Sequence, residues 1–162
     1  MRQDKFKTIL LPVRDKLFRL ALSITGSKED AEDVVQDVLL HILKKDDWEE
    51  IENIEAYSFR STRNRALDVI ALKGNQVVAF PENFDYPLSD DIERRIEAQE
   101  QIDRIEKWLT QLPEKQQTIF RLREIEELSY KEIASILNIT DEQVKTVLFR
   151  LRRKLKDYFD KN

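Results

Sequence analysis

Residues that break helices are scarce in this chain, which has only two glycines and four prolines among 162 residues, while 37% of its side chains are charged. With so few places where the backbone can take a positive φ or lose an amide donor, the chain is confined to long helical runs. No stretch alternates like a half-buried strand. The reading is therefore all-α, and the length suits two small domains, each burying a modest core. The absence of cysteine and the single histidine, His41, remove disulfides, thiolate metal sites and histidine clusters. Neither a metal nor another cofactor is expected. No apolar run approaches the length of a membrane span, and the charged segment 1–10 does not resemble a signal peptide. A cytoplasmic protein without membrane insertion is expected.

Apolar positions Val13, Leu17, Leu20, Ala21 and Ile24 recur at helical spacing after Pro12 and stop at Gly26. Ser27, with Asp30 three residues on, opens a second helix whose apolar face is Ala31, Val34, Val35, Val38 and Ile42. Asn53 caps a third, running to about Leu72. From Gly74 to Ser89 periodicity disappears among Gly74, Pro81, Asn83 and Pro87, which reads as a flexible linker. The expected organisation is an N-terminal helical domain over 1–73, a linker over 74–89 and a C-terminal helical domain over 90–162. In the latter, Ser89 caps a long helix with Ile92, Ile96, Ile102, Ile105 and Leu109 on one side. Pro113 starts another with Ile119, Phe120 and Leu122 inward.

The last two helices carry the chemistry. Ser129 with Glu132, and Thr140 with Gln143, have capping-box spacing, and Asn138, Ile139 and Thr140 between the helices match the turn of a helix-turn-helix. Ile133, Ala134 and Leu137 face Val144, Val147, Leu148 and Leu151, which leaves Gln143, Lys145, Thr146, Phe149 and Arg150 on or near the outer side of the second helix. Although the net charge is −4, the acid is concentrated in residues 74–101. Lys145, Arg150, Arg152, Arg153, Lys154 and Lys156 follow one another without an intervening acid. Such a run suits DNA phosphates, with a charged helical hairpin as the plainer alternative.

The stretch LPEKQQTIFRLREIEELSYKEIASILNITDEQVKTVLFRLRRKL resembles the C-terminal domain of extracytoplasmic-function (ECF) sigma factors of bacterial RNA polymerase, members of the sigma-70 family. LFRLALSITGSKEDAEDVVQDVLLHILK is similar to that family's polymerase-binding helices, and YSFRSTRNRALD to its minus-10 region. The resemblance implies a non-enzymatic promoter-recognition subunit. Its partners would be core RNA polymerase, through the β′ coiled-coil and β flap, promoter DNA and an anti-sigma factor. It implies polymerase contacts at Asp30, Asp33, Gln36, Asp37 and Leu40, a set whose spacing places it on one non-core helical face. It implies minus-10 contacts at Trp48, Tyr57, Arg60, Arg63, Asn64 and Arg65, with stacking and core packing both open for each aromatic. Minus-35 contacts are implied at Gln143, Lys145, Thr146, Phe149, Arg150 and Arg153. The chain departs from the family pattern at Ser58 and Ser61, where large apolar residues are usual, at Val147, where an arginine is common, and at Asn138, which replaces a turn glycine.

Two other classes fit parts of the sequence. A stand-alone helix-turn-helix regulator with an N-terminal dimerisation or sensor domain explains the C-terminal helices equally well, but not the acidic face together with the Arg60 to Asp68 segment. An enzyme would have to work without a histidine pair, a cysteine or a glycine-rich phosphate loop.

Overall fold

A computed structural model describes residues 2–74 and 92–161. The described residues are helical with no strand. The first half comprises α1 (Arg2–Leu10), a 3-10 turn at Leu11–Val13, α2 (Arg14–Thr25), α3 (Lys28–Lys44), a second 3-10 turn at Trp48–Glu50, and α4 (Ile54–Leu72). Each boundary has a local cause. Gly26 closes α2 in the left-handed conformation, φ 68°, with its N–H on the Leu22 carbonyl. Ser27 accepts a hydrogen bond from the Asp30 N–H to open α3, and Asn53 accepts one from the Ala56 N–H to open α4.

The sequence reading missed α1. Phe6 and Leu10, one turn apart, are buried with Val13, and Phe6 meets the Trp48 ring edge-on at 5.6 Å. Trp48, expected as a base-stacking candidate, is thus a core residue with 2% exposure.

The second half runs α5 (Ile92–Leu109), α6 (Glu114–Phe120), a π-helical segment Arg121–Ile125, α7 (Tyr130–Leu137) and α8 (Asp141–Lys161). Pro113 is the N-cap of α6, and Ile119, Phe120 and Leu122 are buried as expected. Trp108, Leu109, Phe120 and Leu151 form a small cluster of their own, with Trp108 and Phe120 edge-to-face at 5.3 Å. Along α5 the expected apolar stripe is buried only at its C-terminal end. Ile92 and Ile96 stand exposed, because no described element covers the first turns. Ser89, their expected cap, and nearly all of the 74–89 linker lie outside the described residues.

The two helical halves also pack on each other, and one apolar cluster runs from Leu17, Ile24, Val35 and Phe59 through Ile119, Leu122, Ile133, Leu137 and Leu148. Helix α2 shows why: from Leu20 to Thr25 every residue is buried, as in a helix covered on more than one side. Polar groups cross the same seam. Arg19 on α2 grips Glu126 through two hydrogen bonds of 2.7 and 2.9 Å, and Arg63 on α4 grips Glu114 through two of 2.9 and 2.8 Å.

A continuous core predicts one cooperative transition. The two tryptophans lie in different halves, so Trp108→Phe leaves a reporter in the first and Trp48→Phe one in the second. Fluorescence unfolding of each variant in urea, compared with its own helix signal by circular dichroism, should give coincident midpoints within each protein. A fluorescence midpoint separated from the helix midpoint in either variant would show that the halves melt independently.

Candidate nucleic-acid interface

Helices α7 and α8 are built by short-range chemistry. The Ser129 hydroxyl accepts from the Glu132 N–H at 3.0 Å, while the Glu132 carboxylate accepts from the Ser129 N–H at 3.1 Å. Thr140 and Gln143 make the same reciprocal pair at 3.1 and 2.9 Å. Between them Asn138 takes the left-handed conformation at φ 55°, which asparagine tolerates better than most residues. Ile133, Ala134 and Leu137 bury against Val144, Leu148 and Leu151, with Val147 half-buried.

The outer side of α8 presents Gln143, Lys145, Thr146, Phe149, Arg150 and Arg153, all exposed. They are not equally available. Gln143 spends its carbonyl oxygen on the Thr140 N–H, and Thr146 donates its hydroxyl to the Glu142 carbonyl. Lys145 lies 3.6 Å from Glu142, and the Arg153 guanidinium is 5.8 Å from the Phe149 ring centre. Within the basic run Arg152 is tied back to the π-helical segment, its Nε donating to Glu124 at 2.7 Å. That hydrogen bond, aided by Tyr130, raises the Arg152 pKa above its ordinary value. Arg150, Lys154 and Lys156 remain facing solvent.

In the first half, Asp33, Gln36, Asp37 and Leu40 share the exposed face of α3. Asp30, one turn earlier, is partly buried and paired with Lys73 at 2.6 Å. Asp37 meets Arg65 of α4 at 3.4 Å. A groove of about 580 Å³ between α3 and α4 is lined by Asp37, Leu40, Asn64 and Arg65, so two residue sets far apart in sequence meet there. Tyr57 and Arg60 line a second groove, about 670 Å³, whose other wall is Lys131 and Glu132 of α7. Lys45 sits 5.7 Å from the Tyr57 ring centre. Arg63 is turned away from both grooves' linings toward Glu114, with 15% of its side chain exposed. The acids Glu114, Glu124 and Glu126, which hold the arginines, carried no sequence signal because their partners lie 28 to 107 residues away.

An exposed acidic helix face thus lies on the first half and a basic helix-turn-helix on the second. Residues 11–75 match sigma-70 region 2 and residues 102–155 match sigma-70 region 4, and the chain belongs to the sigma-70 family, the promoter-directing subunits of bacterial RNA polymerase. It is similar to the ECF RNA polymerase sigma factor SigE of Mycolicibacterium smegmatis, 28% identical over 151 residues that cover 91% of this chain and 59% of that protein. Against SigW of Bacillus subtilis the identity is 28% over 170 residues, covering 96% and 91%; against SigM of the same organism it is 23% over 145 residues, covering 90% and 89%. The fold is similar to that of the sigma factor RpoE in complex with the anti-sigma factor NepR from Bartonella quintana, with TM-score 0.74, 23% identity and coverage of 96% and 97%. CnrH in complex with the cytosolic domain of CnrY gives TM-score 0.68 at 22% identity, covering 99% and 90%. These relationships do not favour the stand-alone regulator. Sigma factors are not enzymes, and among the described residues no helix is long and apolar enough to cross a membrane.

The ion pair at Arg152 separates the basic residues into two kinds. Arg150→Ala should reduce the slope of log affinity against log salt for promoter DNA by about 1, the value of one lost phosphate contact. Arg152→Ala should reduce it by less, since Glu124 already neutralises that charge. Titrations at several salt concentrations measure both slopes, and equal losses would mean that Arg152 leaves Glu124 for the phosphates.

Proposed function

We propose that the two halves divide promoter recognition between them: residues 1–73 bind core polymerase and open and read the minus-10 element, and residues 90–162 read the minus-35 element, with 74–89 as the tether. The observation that supports this division most directly is the exposure of both candidate surfaces, the α3 face and the outer side of α8, on the two segments that match regions 2 and 4. Asp33, Gln36, Asp37 and Leu40 offer carboxylates, an amide and one apolar contact to a basic helical partner, the chemistry of a β′ coiled-coil. Charge complementarity there gives association rate and register. Asp30 supports that face from its pair with Lys73. The β flap is the partner for the second half.

For the minus-10 element, Tyr57, Arg60, Asn64 and Arg65 supply a stacking face, an amide and phosphate partners on or beside the two grooves of α4. Arg63 joins them once released from Glu114. Trp48 supports the loop from inside by packing on Phe6. For the minus-35 element, Lys145, Thr146, Phe149 and the free end of Gln143 form the reading surface, while Arg150 and Arg153 follow the backbone. The protein acts in the cytoplasm and has no catalytic centre of its own. An anti-sigma factor is its regulatory partner, a reading supported by the complexes in which two similar folds occur.

Run-off transcription with core polymerase tests the whole assignment, and two variants test its parts. Replacing Asp33 and Asp37 together by lysine should abolish co-purification with core enzyme without loss of helix content; undiminished association removes the α3 face from the docking surface. Lys145→Ala should change which upstream elements are preferred, with discrimination altered by about 1 to 3 kcal/mol at the contacted base pair. A promoter competition that returns an unchanged preference would place the reader elsewhere.

A further inference from the structure

Among the candidate DNA-contacting residues of the first half, Arg63 is engaged by a carboxylate of the second half's described residues. Its Nε and Nη2 donate to the two oxygens of Glu114 at 2.9 and 2.8 Å, and the side chains are 15% and 17% exposed. The carboxylate is held from below as well: Glu114 is the first residue of α6, where the helix dipole favours an anion, and it accepts a hydrogen bond from the Thr118 hydroxyl at 2.9 Å. A fork of two parallel N–H···O bonds is also how a guanidinium holds a phosphate. Glu114 and a backbone phosphate therefore compete for the same donors.

The rest of the seam holds Glu114 in place. The part-buried pair Arg19–Glu126 and the apolar contacts between α4 and α7 join the same two halves. In this arrangement the chain cannot read a whole promoter. By their positions the minus-10 and minus-35 elements are about 25 base pairs apart, roughly 85 Å of B-DNA at about 3.4 Å per pair, whereas a folded chain of this length is roughly 40 Å across. Reading both requires the halves to part, which breaks Arg63 from Glu114. The recognition face of α8, by contrast, is already exposed in the closed arrangement.

We infer that Glu114 is a built-in stand-in for a DNA phosphate, an autoinhibitory carboxylate that withholds Arg63 from single-stranded DNA until the two halves separate. The closed chain is thereby silenced at its strand-opening surface and not at its duplex-reading helix. This rests on the assignment of Arg63 to minus-10 contact.

The test uses the full chain and two fluorescent probes, a mixed-sequence single-stranded DNA and its duplex. Glu114→Gln should tighten single-strand binding about tenfold or more, the scale of a close charge pair removed, and leave duplex binding within about twofold because α8 is unaffected. Glu97→Gln, which removes one exposed charge from α5 outside the seam, should change neither. In an Arg63→Ala background the Glu114→Gln gain should vanish. A gain that survives in that background, or one of equal size on both probes, would reduce the effect to net charge and overturn the inference; so would no gain at all. If Glu114→Gln does not fold, judged by circular dichroism, Glu114→Asp keeps an acid at the helix start but shortens its reach, and should give a smaller gain on the single strand only; none would likewise overturn it. Run-off transcription by reconstituted holoenzyme carrying Arg63→Ala separates the two ideas. Normal open-complex formation there removes Arg63 from minus-10 contact, whereas impaired formation beside an unresponsive Glu114→Gln leaves that assignment standing and removes only the latch.

Discussion

The grip of Arg19 on Glu126 fixes how the two halves of this molecule meet. Glu126 is 4% exposed and lies 107 residues from its partner, so its charge is out of water only while the second half sits on α2. The two-pronged geometry matters more than the attraction itself, since a buried pair offsets much of its Coulomb energy against desolvation. Losing one partner is another matter, costing about 3 to 5 kcal/mol through the charge left stranded. Apolar contacts between the halves favour closure without favouring one register. This pair and Arg63–Glu114, both two-pronged, supply the register. The π-helical segment contributes directly: the Glu126 N–H bonds to the Arg121 carbonyl five residues back, and the wider turn carries Glu126 round to α2 while Leu122 and Leu128 stay buried.

From that register follows which surfaces are hidden. The acidic face of α3 and the outer side of α8 lie away from the seam, and both remain exposed. One face of α4 lies within it. Closure thus falls unevenly on the candidate contacts, taking Arg63 and leaving Arg60 and Asn64 at the surface. Among the described residues Asp33, Gln36 and Leu40 lie exposed outside the seam, so the proposed docking through α3 would need no opening.

What could be read from sequence was what local chemistry decides. Ser27, Asn53, Ser129 with Glu132, and Thr140 with Gln143 act on backbone groups within three residues, and each cap is where its spacing placed it. Helical periodicity likewise gave the inward residues of α3, α6 and α7. It failed where burial depends on distant chain. A helix covered on two sides differs from one covered on one only by small polar positions that tolerate burial, here Ser23 and Thr25, and such residues look like surface. Trp48 was open between stacking and packing, since nothing among Asp46, Asp47, Glu49 and Glu50 decides it until α1 brings Phe6 against the ring. The functional faces became legible mainly through family resemblance; pattern alone could not tell the α3 acids from an ordinary solvated face. The ion pairs that restrain Arg63 and Arg152 were beyond both, because charge pairing across 51 or 28 residues leaves no periodic trace.

The same restraints bear on how an acidic protein can act on DNA at all. Of the basic run, Arg152 is neutralised by Glu124 and Lys145 is drawn toward Glu142, while Gln143 and Thr146 have hydrogen-bonding groups committed to their own backbone. Val147, half-buried, adds no charge. As the proposed recognition helix, α8 would discriminate through few contacts and draw modest affinity from phosphates, against the repulsion of a chain with net charge −4. Modest affinity at each site is compatible with firm binding of the whole only if the sites are linked. Under the proposed division of labour, docking both halves on one polymerase would turn the second DNA contact into an intramolecular event, so that effective concentration adds to what each surface supplies. Under that proposal, contacts too weak to act singly suffice once both halves are docked together.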